Sequence, residues 1–307
     1  MASTPEIPVA IILVNWNGYA YTKACIESLG EVKEPSFQII LVDNGSQEAE
    51  GERLKAHFPQ IQLIVNQDNL GFAGGNNVGI RNALEKGFEQ VLLLNNDTTV
   101  KPTFLKELQT CIQQSGCGVA QPMILFAHDP HTIWSAGGGW HSLFGRAITR
   151  GDRAPFEKYR PQTKTLDWAT GCCMLVSRKA LLEAGLLHEP YFAYFEDVEW
   201  SLRIRKAGFT IGLAENAIIY HEAGAASKKQ HAEGTLSPRV FYFHVRNQFF
   251  LLRQHSILLG YPYHLLRFLG WGAYFLIRGR FQKLSAVLKG VREGLFTPLY
   301  PEKKWFQ

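Results

Sequence analysis

Short apolar runs alternate with amphipathic stretches over the first 120 residues, the pattern of strands and helices taking turns along the chain. Residues 9–14 form a β-branched-rich apolar run, closed by the polar turn 15–18, and residues 19–29 carry apolar side chains at helical spacing. A second run at 39–42 ends in Asp43-Asn44-Gly45-Ser46 and precedes a helix expected over 47–58, stopped near Pro59. A third run spans 61–65, a helix is expected over 76–87, and a fourth run at 91–94 ends in Asn95-Asn96-Asp97. Continuous apolar strands alternating with helices indicate an α/β fold with a Rossmann-like, mostly parallel central sheet flanked by helices. Ligands of such sheets bind beyond the carboxyl ends of the strands. Three polar clusters, Asn15/Asn17, Asp43/Asn44 and Asn95/Asp97, are therefore expected to converge on one sheet edge.

Regular patterning lapses over 125–165, where Gly137, Gly138 and Gly139 sit among aromatic and basic residues; this reads as a loop-rich insertion with short antiparallel strands. Order returns with a helix over 178–184, an amphipathic helix over 198–207 stopped at Gly208, and a strand over 211–220. Residues 223–237 are small, basic and polar and read as a mobile loop. The chain then becomes aromatic. Its apolar stretch 257–277 is broken by Pro262, His264 and Arg267, so it falls short of the roughly 20 apolar residues of a spanning helix. Two readings remain: helices lying in a membrane interface with cations toward anionic headgroups, or a helical extension packed on the preceding domain.

Charge sharpens the contrast. The net charge is +5, yet residues 240–307 hold ten Lys/Arg against two acidic residues, so the remainder is acidic. With 307 residues, 46% of them apolar and 19% charged, the chain suits one large domain plus an appendage and excludes wholesale disorder. Cys25, Cys111, Cys117, Cys172 and Cys173 follow no disulfide or zinc spacing and read as small buried residues in a reducing compartment. The N-terminus has no basic segment before a short apolar run, so no export is expected and the location is cytoplasmic.

Several of these residues carry chemistry, each with a structural alternative. A carboxylate at a strand tip, Asp97, can coordinate a hard divalent cation, or it simply belongs to a turn. Asp43 could accept from a base or ribose hydroxyl, or cap the next helix. Residues 69–77, NLGFAGGNN, combine glycines with a helix start, which permits close ligand approach and favours anions, but lack the spacing of a P-loop or dinucleotide fingerprint. Glu196-Asp197-Val198-Glu199 opens a helix; its carboxylates serve either the helix dipole or general-base chemistry on an attacking hydroxyl. His221 is structural unless it reaches Asp97, where it would complete a metal site. Arg246, beside Asn247, either clamps phosphate or anchors a helix by stacking.

Taken together, VAIILVNWNG, LVDNGS, NLGFAGGNN, LLLNND and FEDVEWSLRIRKAG, in this order, resemble the inverting glycosyltransferases of family two, with the GT-A fold, over about residues 8–250. FYFHVRNQ and the aromatic, basic tail resemble the rhamnosyltransferase-like subgroup of surface polysaccharide synthesis. The resemblance implies a catalytic domain over 1–238, with a nucleotide-binding part to about 122 and an acceptor-binding part from 123, and a helical tail over 239–307. It implies that Asn15, Asn17, Asp43, Asn44, Asn69, Gly74, Asn76, Asn95 and Asn96 surround a nucleotide sugar. Asp97 would hold Mn²⁺ or Mg²⁺, Asp197 would act as base beside Glu196, and Gly171, Trp200 and Arg246 are candidates for acceptor or phosphate contacts. The sequence departs from the family at Asn95, the first position of its DXD motif, which leaves Asp97 with fewer carboxylates; His221 is expected to compensate. The donor would be a dTDP- or UDP-sugar, dTDP-rhamnose first, and the acceptor a glycan or lipid-linked glycan at a membrane surface, with no nucleic acid involved. Rival readings are nucleotidyl transfer to a sugar phosphate, against which the cation-free 15–18 turn argues, and a non-catalytic binding module, against which the retained carboxylates argue.

Overall fold

The structure, a computed structural model, describes residues 8–222, 233 and 236–299. In chain order the elements begin β1 Val9–Asn15, α1 Tyr19–Leu29, β2 Phe37–Asn44, α2 Glu50–His57, β3 Gln62–Asn66, α3 Gly71–Glu85, β4 Gln90–Asn95, β5 Thr98–Val100 and α4 Phe104–Ser115. They continue as β6 Val119–Phe126, β7 Ile133–Ser135, β8 Gly138–His141, β9 Arg146–Thr149, β10 Thr165–Leu166, β11 Cys173–Ser177, α5 Arg178–Ala184, α6 Glu196–Lys206 and β12 Ile211–His221. Three helices close the chain: α7 Pro238–Gln254, α8 Gly260–Ile277 and α9 Phe281–Phe296.

The main sheet runs β10-β12-β6-β11-β4-β1-β2-β3. β3, β2, β1 and β4 are parallel, and β11 is inserted antiparallel beside β4. Register aligns the strand ends: Asn15 lies opposite Asp43 and Val14 opposite Asn95, so the polar clusters do share one edge. Along β1, Ala10 and Ile12 face a core with α3, α5 and α6, while Val9, Ile11 and Leu13 face a second core with α1, α2 and α4. Both faces are covered, which is why these strands read as unbroken apolar runs. All five cysteines are free, and Cys111 alone of them is half-exposed.

Several boundaries move. The helix expected from residue 76 starts at Gly71, because α3 packs so closely on β1 that Gly75 and Gly79 have no room for a side chain; a Cβ would lie 2.9 Å from Val14 and 2.6 Å from Ile12. Tertiary packing thus overrides the low helix propensity of Gly and Asn. The helix expected over 47–58 shortens to Glu50–His57, since Glu48 and Ala49 are left-handed. Strands β6 and β11 and helix α4 escape sequence patterning; β6 contains Gln121 and Pro122, and β11 has only five residues. The insertion does form a small antiparallel pair, β8 and β9. The loop expected over 223–237 lies, apart from residues 233, 236 and 237, outside the described residues.

The tail is a helical layer. α7 contributes Val245, Phe249 and Leu252, α8 Phe268 and Phe275, and α9 Val287 to a core of their own. Leu251, on α7, packs with Trp168 and Val198 of the preceding domain. No helix among the described residues is long and apolar enough to cross a membrane.

Candidate functional site

A cleft of about 280 Å³ opens beyond the carboxyl ends of β1, β2 and β4. Trp16, Asn69, Asn95 and Asp97 line it from the sheet edge, and Phe192, Tyr194, Arg239 and Phe243 from the opposite side.

Asp97 reaches this cleft because β4 ends and the chain turns directly into β5, which pairs antiparallel with β12, His221 opposite Thr98. That register brings His221 Nε2 to 3.2 Å from Asp97 Oδ1. Both side chains are largely buried, the imidazole packs against Trp134 at 4.4 Å between centroids, and His221 Nδ1 has no hydrogen-bond partner among the described residues. A carboxylate oxygen and an imidazole nitrogen this close suit two ligands of one cation with bonds of about 2.0–2.2 Å. Among the described residues no group of three or more His, Cys, Asp or Glu gathers as a metal cage, so this pair leaves further coordination positions to other ligands.

The second carboxylate pair lies beside this tip. Asn95 N–H donates to Cys172 O at 2.8 Å, and Gly171 N–H donates to Asp197 Oδ2 at 3.0 Å, so the Gly171-Cys172 step links Asn95 with the Asp197 side chain. The charges of Asp97 and Asp197 both act on the buried Cys172 thiol, whose pKa is raised first by burial and then by Asp97. Asp197 is half-buried, Glu196 buried. Burial raises the Asp197 carboxyl above its ordinary range against the pull of the Gly171 and Val198 N–H groups. Glu196 is pushed well above its ordinary range by burial and then by the Asp197 charge, and its Oε2 has no hydrogen-bond partner among the described residues. Asp197 is therefore the half-exposed carboxylate with held geometry, and Glu196 the buried neighbour whose charged form burial disfavours.

Other expected site residues are committed elsewhere. Asp43 is buried and does not line the cleft; its oxygens accept from Ser46 N–H at 3.1 Å and Gly51 N–H at 2.8 Å, which binds the loop to the start of α2. Asn15 is fully buried, accepting from Thr22 and donating to Ser46 and Glu50; Thr22 in turn accepts from Asn96. Asn17 braces the same loop through Ser46 and Gln47. Asn44 lines the cleft but spends its amide on Asn69, Gly71, Asn66 and Leu70, and Asn76 donates to Phe72 O. The α3 N-terminus is not open to an anion: Phe72 and Ala73 N–H donate to Phe192 O at 2.6 and 3.3 Å. Gly71, at φ +74°, allows that approach, since a Cβ would lie 2.5 Å from the same oxygen. Gly74 faces Leu70, not the cleft.

The acceptor and phosphate candidates divide similarly. Gly171 positions Asp197, but Trp200 is buried in the core with its N–H on Gly185 O at 2.8 Å. Arg246 donates to Pro190 O at 2.7 Å and Tyr191 O at 2.9 Å and stacks on Phe243 and Phe250; it anchors the 190–195 loop, with Asn247 donating to Tyr191, Ala193 and Tyr194 carbonyls. Among the described residues the cation lining the cleft is Arg239, two α7 turns earlier, stacked over Phe192 at 4.8 Å and Phe243 at 5.3 Å. Sequence reasoning also passed over Trp16, which is 44% exposed at the cleft mouth. Its signal was available: a large aromatic between two polar residues right after a strand has no core face to fill.

Residues 10–185 match the family model described as glycosyl transferase family 2. The chain is similar to a dTDP-rhamnosyl transferase, RfbF, of Shigella flexneri, with 26% identity over 75% of each chain. It is also similar to an N-acetylglucosaminyl-diphospho-decaprenol L-rhamnosyltransferase of Mycobacterium tuberculosis, with 24% identity over 73% of this chain and 79% of the relative. A solved structure of GalNAc-T7 with UDP, GalNAc and Mn²⁺ superposes with a TM-score of 0.61 at 16% identity, covering 82% of this chain and 48% of that one. That likeness is one of fold, and the chain spans about half the length of that protein.

Proposed function

Because the chain belongs to glycosyl transferase family 2 and is a glycosyltransferase of the rhamnosyltransferase-like type, we propose that it transfers a sugar with inversion from a nucleoside-diphosphate sugar to a lipid-linked glycan. The donor is a dTDP- or UDP-sugar, dTDP-rhamnose first, by analogy with the printed activities of the two relatives. The work is placed at the inner face of the cell membrane, in polysaccharide synthesis.

The observation that supports this reading is the Asp97–His221 pair at the cleft, with Asp197 held by Gly171 N–H while the adjoining Cys172 O accepts from Asn95 N–H. Asp97 and His221 fit a divalent cation, Mn²⁺ or Mg²⁺, which when bound neutralises the departing diphosphate. The chain's own residues do the rest. An acceptor hydroxyl oxygen forms the new bond to the anomeric carbon as the bond to the diphosphate oxygen breaks. Asp197 takes the hydroxyl proton, and burial, which raises its carboxyl above the ordinary range, strengthens it as a base. Arg239, held over Phe192 and Phe243, supplies positive charge beside the leaving diphosphate. Trp16 offers a flat surface for a base or sugar ring at the mouth.

A thermal-shift panel of dTDP-, UDP- and GDP-sugars with and without Mn²⁺ tests the reading. A ligand at 100 times its Kd stabilises by about 2.7 kcal/mol. For a chain of this length that is a rise of roughly 4 °C. The expected result is selective, Mn²⁺-dependent stabilisation by dTDP-sugars. If no nucleotide sugar shifts the transition, the donor assignment fails.

A further inference from the structure

α8 is apolar on both sides, which a helix buried on one side only does not require. Its inner face sets Phe268, Gly272 and Phe275 against α7 and α9, and His264 against Phe144. Its outer face carries Leu266, Leu269, Leu276 and Ile277, at spacings that keep them on one stripe, and three of these are 71%, 65% and 83% exposed (Leu266, Leu269 and Ile277). Among the described residues, none comes within 4 Å of a Cβ built at Gly270 on the same side of the helix.

The charges around this face say what covers it. Arg267, Arg278 and Arg280 lie on or just after α8, and residues 260–292 contain no Asp or Glu; Glu233 accepts from Gln282 and Lys283 N–H at the start of α9, and Glu293 pairs with Lys289 and Arg292. Arg267 lies over Trp271 at 5.0 Å, and Arg280 over the exposed Tyr274 at 5.7 Å, so cations border the apolar stripe. Arg146, on β9, adds a charge close enough to act on Arg267 and on His264. No carboxylate among the described residues pairs with Arg267, Arg278 or Arg280 within 4 Å. A second copy of the same face would set these cations against one another, whereas an anionic headgroup layer complements them. Since no described helix is long and apolar enough to cross a bilayer, the face fits a helix lying in the interface.

We propose that the outer face of α8 is a docking surface for an anionic lipid bilayer, and that α7 transmits this placement to the cleft. α7 is shared between the two: Phe241 and Phe249 pack on α8 at Trp271, Phe275 and Phe268, while Arg239 and Phe243 line the cleft. Docking sets the cleft one helix away from the membrane, where a lipid-linked acceptor arrives; in that purpose the proposal rests on the acceptor assignment above, in its geometry it does not.

Vesicle cosedimentation tests it on the full chain without donor or acceptor. The probes are phosphatidylglycerol/phosphatidylcholine vesicles and pure phosphatidylcholine vesicles. The parent should bind the anionic vesicles, more weakly as salt is raised, and prefer them to neutral ones. The double variant Leu269→Glu/Ile277→Glu, both exposed positions, should partition at least about tenfold less, while its melting transition and its donor-induced thermal shift stay at the parent's values. Arg278→Glu/Arg280→Glu should remove most of the preference for anionic lipid. Equal partition of parent and Leu269→Glu/Ile277→Glu overturns the proposal. So does a parent that ignores both vesicles, or one that sediments as a dimer which the double variant makes monomeric. Donor-induced stabilisation without vesicle binding sinks the docking face alone; vesicle binding without any donor effect sinks the donor assignment alone.

Discussion

Replacing Asp197 by Asn removes the proposed base while keeping the side chain's size, and the structure separates its two consequences. Asp197 accepts from Gly171 N–H at 3.0 Å on Oδ2 and from Val198 N–H at 2.8 Å on Oδ1. An amide keeps one of these acceptors and turns its NH₂ toward the other donor. The lost bond costs about 1–2 kcal/mol, and removing a charge from beside Glu196 offsets part of it. At about 2.1 cal/mol/K per residue, unfolding a chain this long has an entropy near 0.6 kcal/mol/K, so Tm should fall by only about 2–3 °C. The chemical consequence is far larger: loss of a general base slows turnover about 10²–10⁴-fold, or about 2.7–5.5 kcal/mol of barrier. Release of nucleoside diphosphate gives the rate, and thermal shift with donor gives the binding. The expected variant is folded, binds donor as the parent does, and turns over at 1% of the parental rate or less, by the lower bound of that range. A rate within threefold of the parent's would refute the assignment of Asp197 as base, whatever the change in Tm.

The same geometry yields three further outcomes. His221→Ala should weaken Mn²⁺ at least about tenfold, since even an outer-shell partner is worth 10–100-fold, and the Mn²⁺-dependent part of the donor thermal shift reads it; an unchanged Mn²⁺ titration excludes His221 as a ligand. Arg246→Ala should lower Tm of the ligand-free protein by about 3–6 °C, because charge-assisted bonds to Pro190 and Tyr191 carbonyls worth about 2–4 kcal/mol are lost; a normal Tm with a raised donor KM would instead mark it as a phosphate clamp. Glu196 has a folded pKa raised above its ordinary 4.5, so its contribution to stability is complete below that value and is lost as pH rises toward the folded one. Glu196→Gln should therefore be relatively more stable than the parent at neutral pH, with the difference vanishing in chemical denaturation below pH 4.5, and parallel pH curves would disprove the buried-acid account.

Much of the architecture was legible because it is local. The apolar runs that became β1, β2 and β4 are buried on both faces, so burial alone reads them; the polar residues after them mark a sheet edge because parallel strands end together. LLLNND and FEDVEW announced carboxylates at a strand tip and a helix start; Asp97 lines the cleft, whereas Asp197 does not line it and is held by Gly171 N–H. Local pattern also sufficed for α1 and α5, found at the expected residues.

What sequence alone left undecided is which partner each polar group meets. Asp43, Asn15 and Asn44 have the residue types of a binding site, yet their hydrogen bonds go to backbone and to neighbouring side chains, because buried polar atoms must be satisfied where they lie. Arg246 and Arg239 are seven residues apart on α7, and only the packing of α7 against the 190–195 loop decides that the first anchors that loop while the second faces the cleft. Asp97 and His221 are 124 residues apart in the chain; the β5–β12 register, a long-range pairing that no local pattern encodes, sets them 3.2 Å from each other. Residue type and spacing thus determined the sheet and the inventory of reactive groups, and three-dimensional packing determined which of those groups remain free to react.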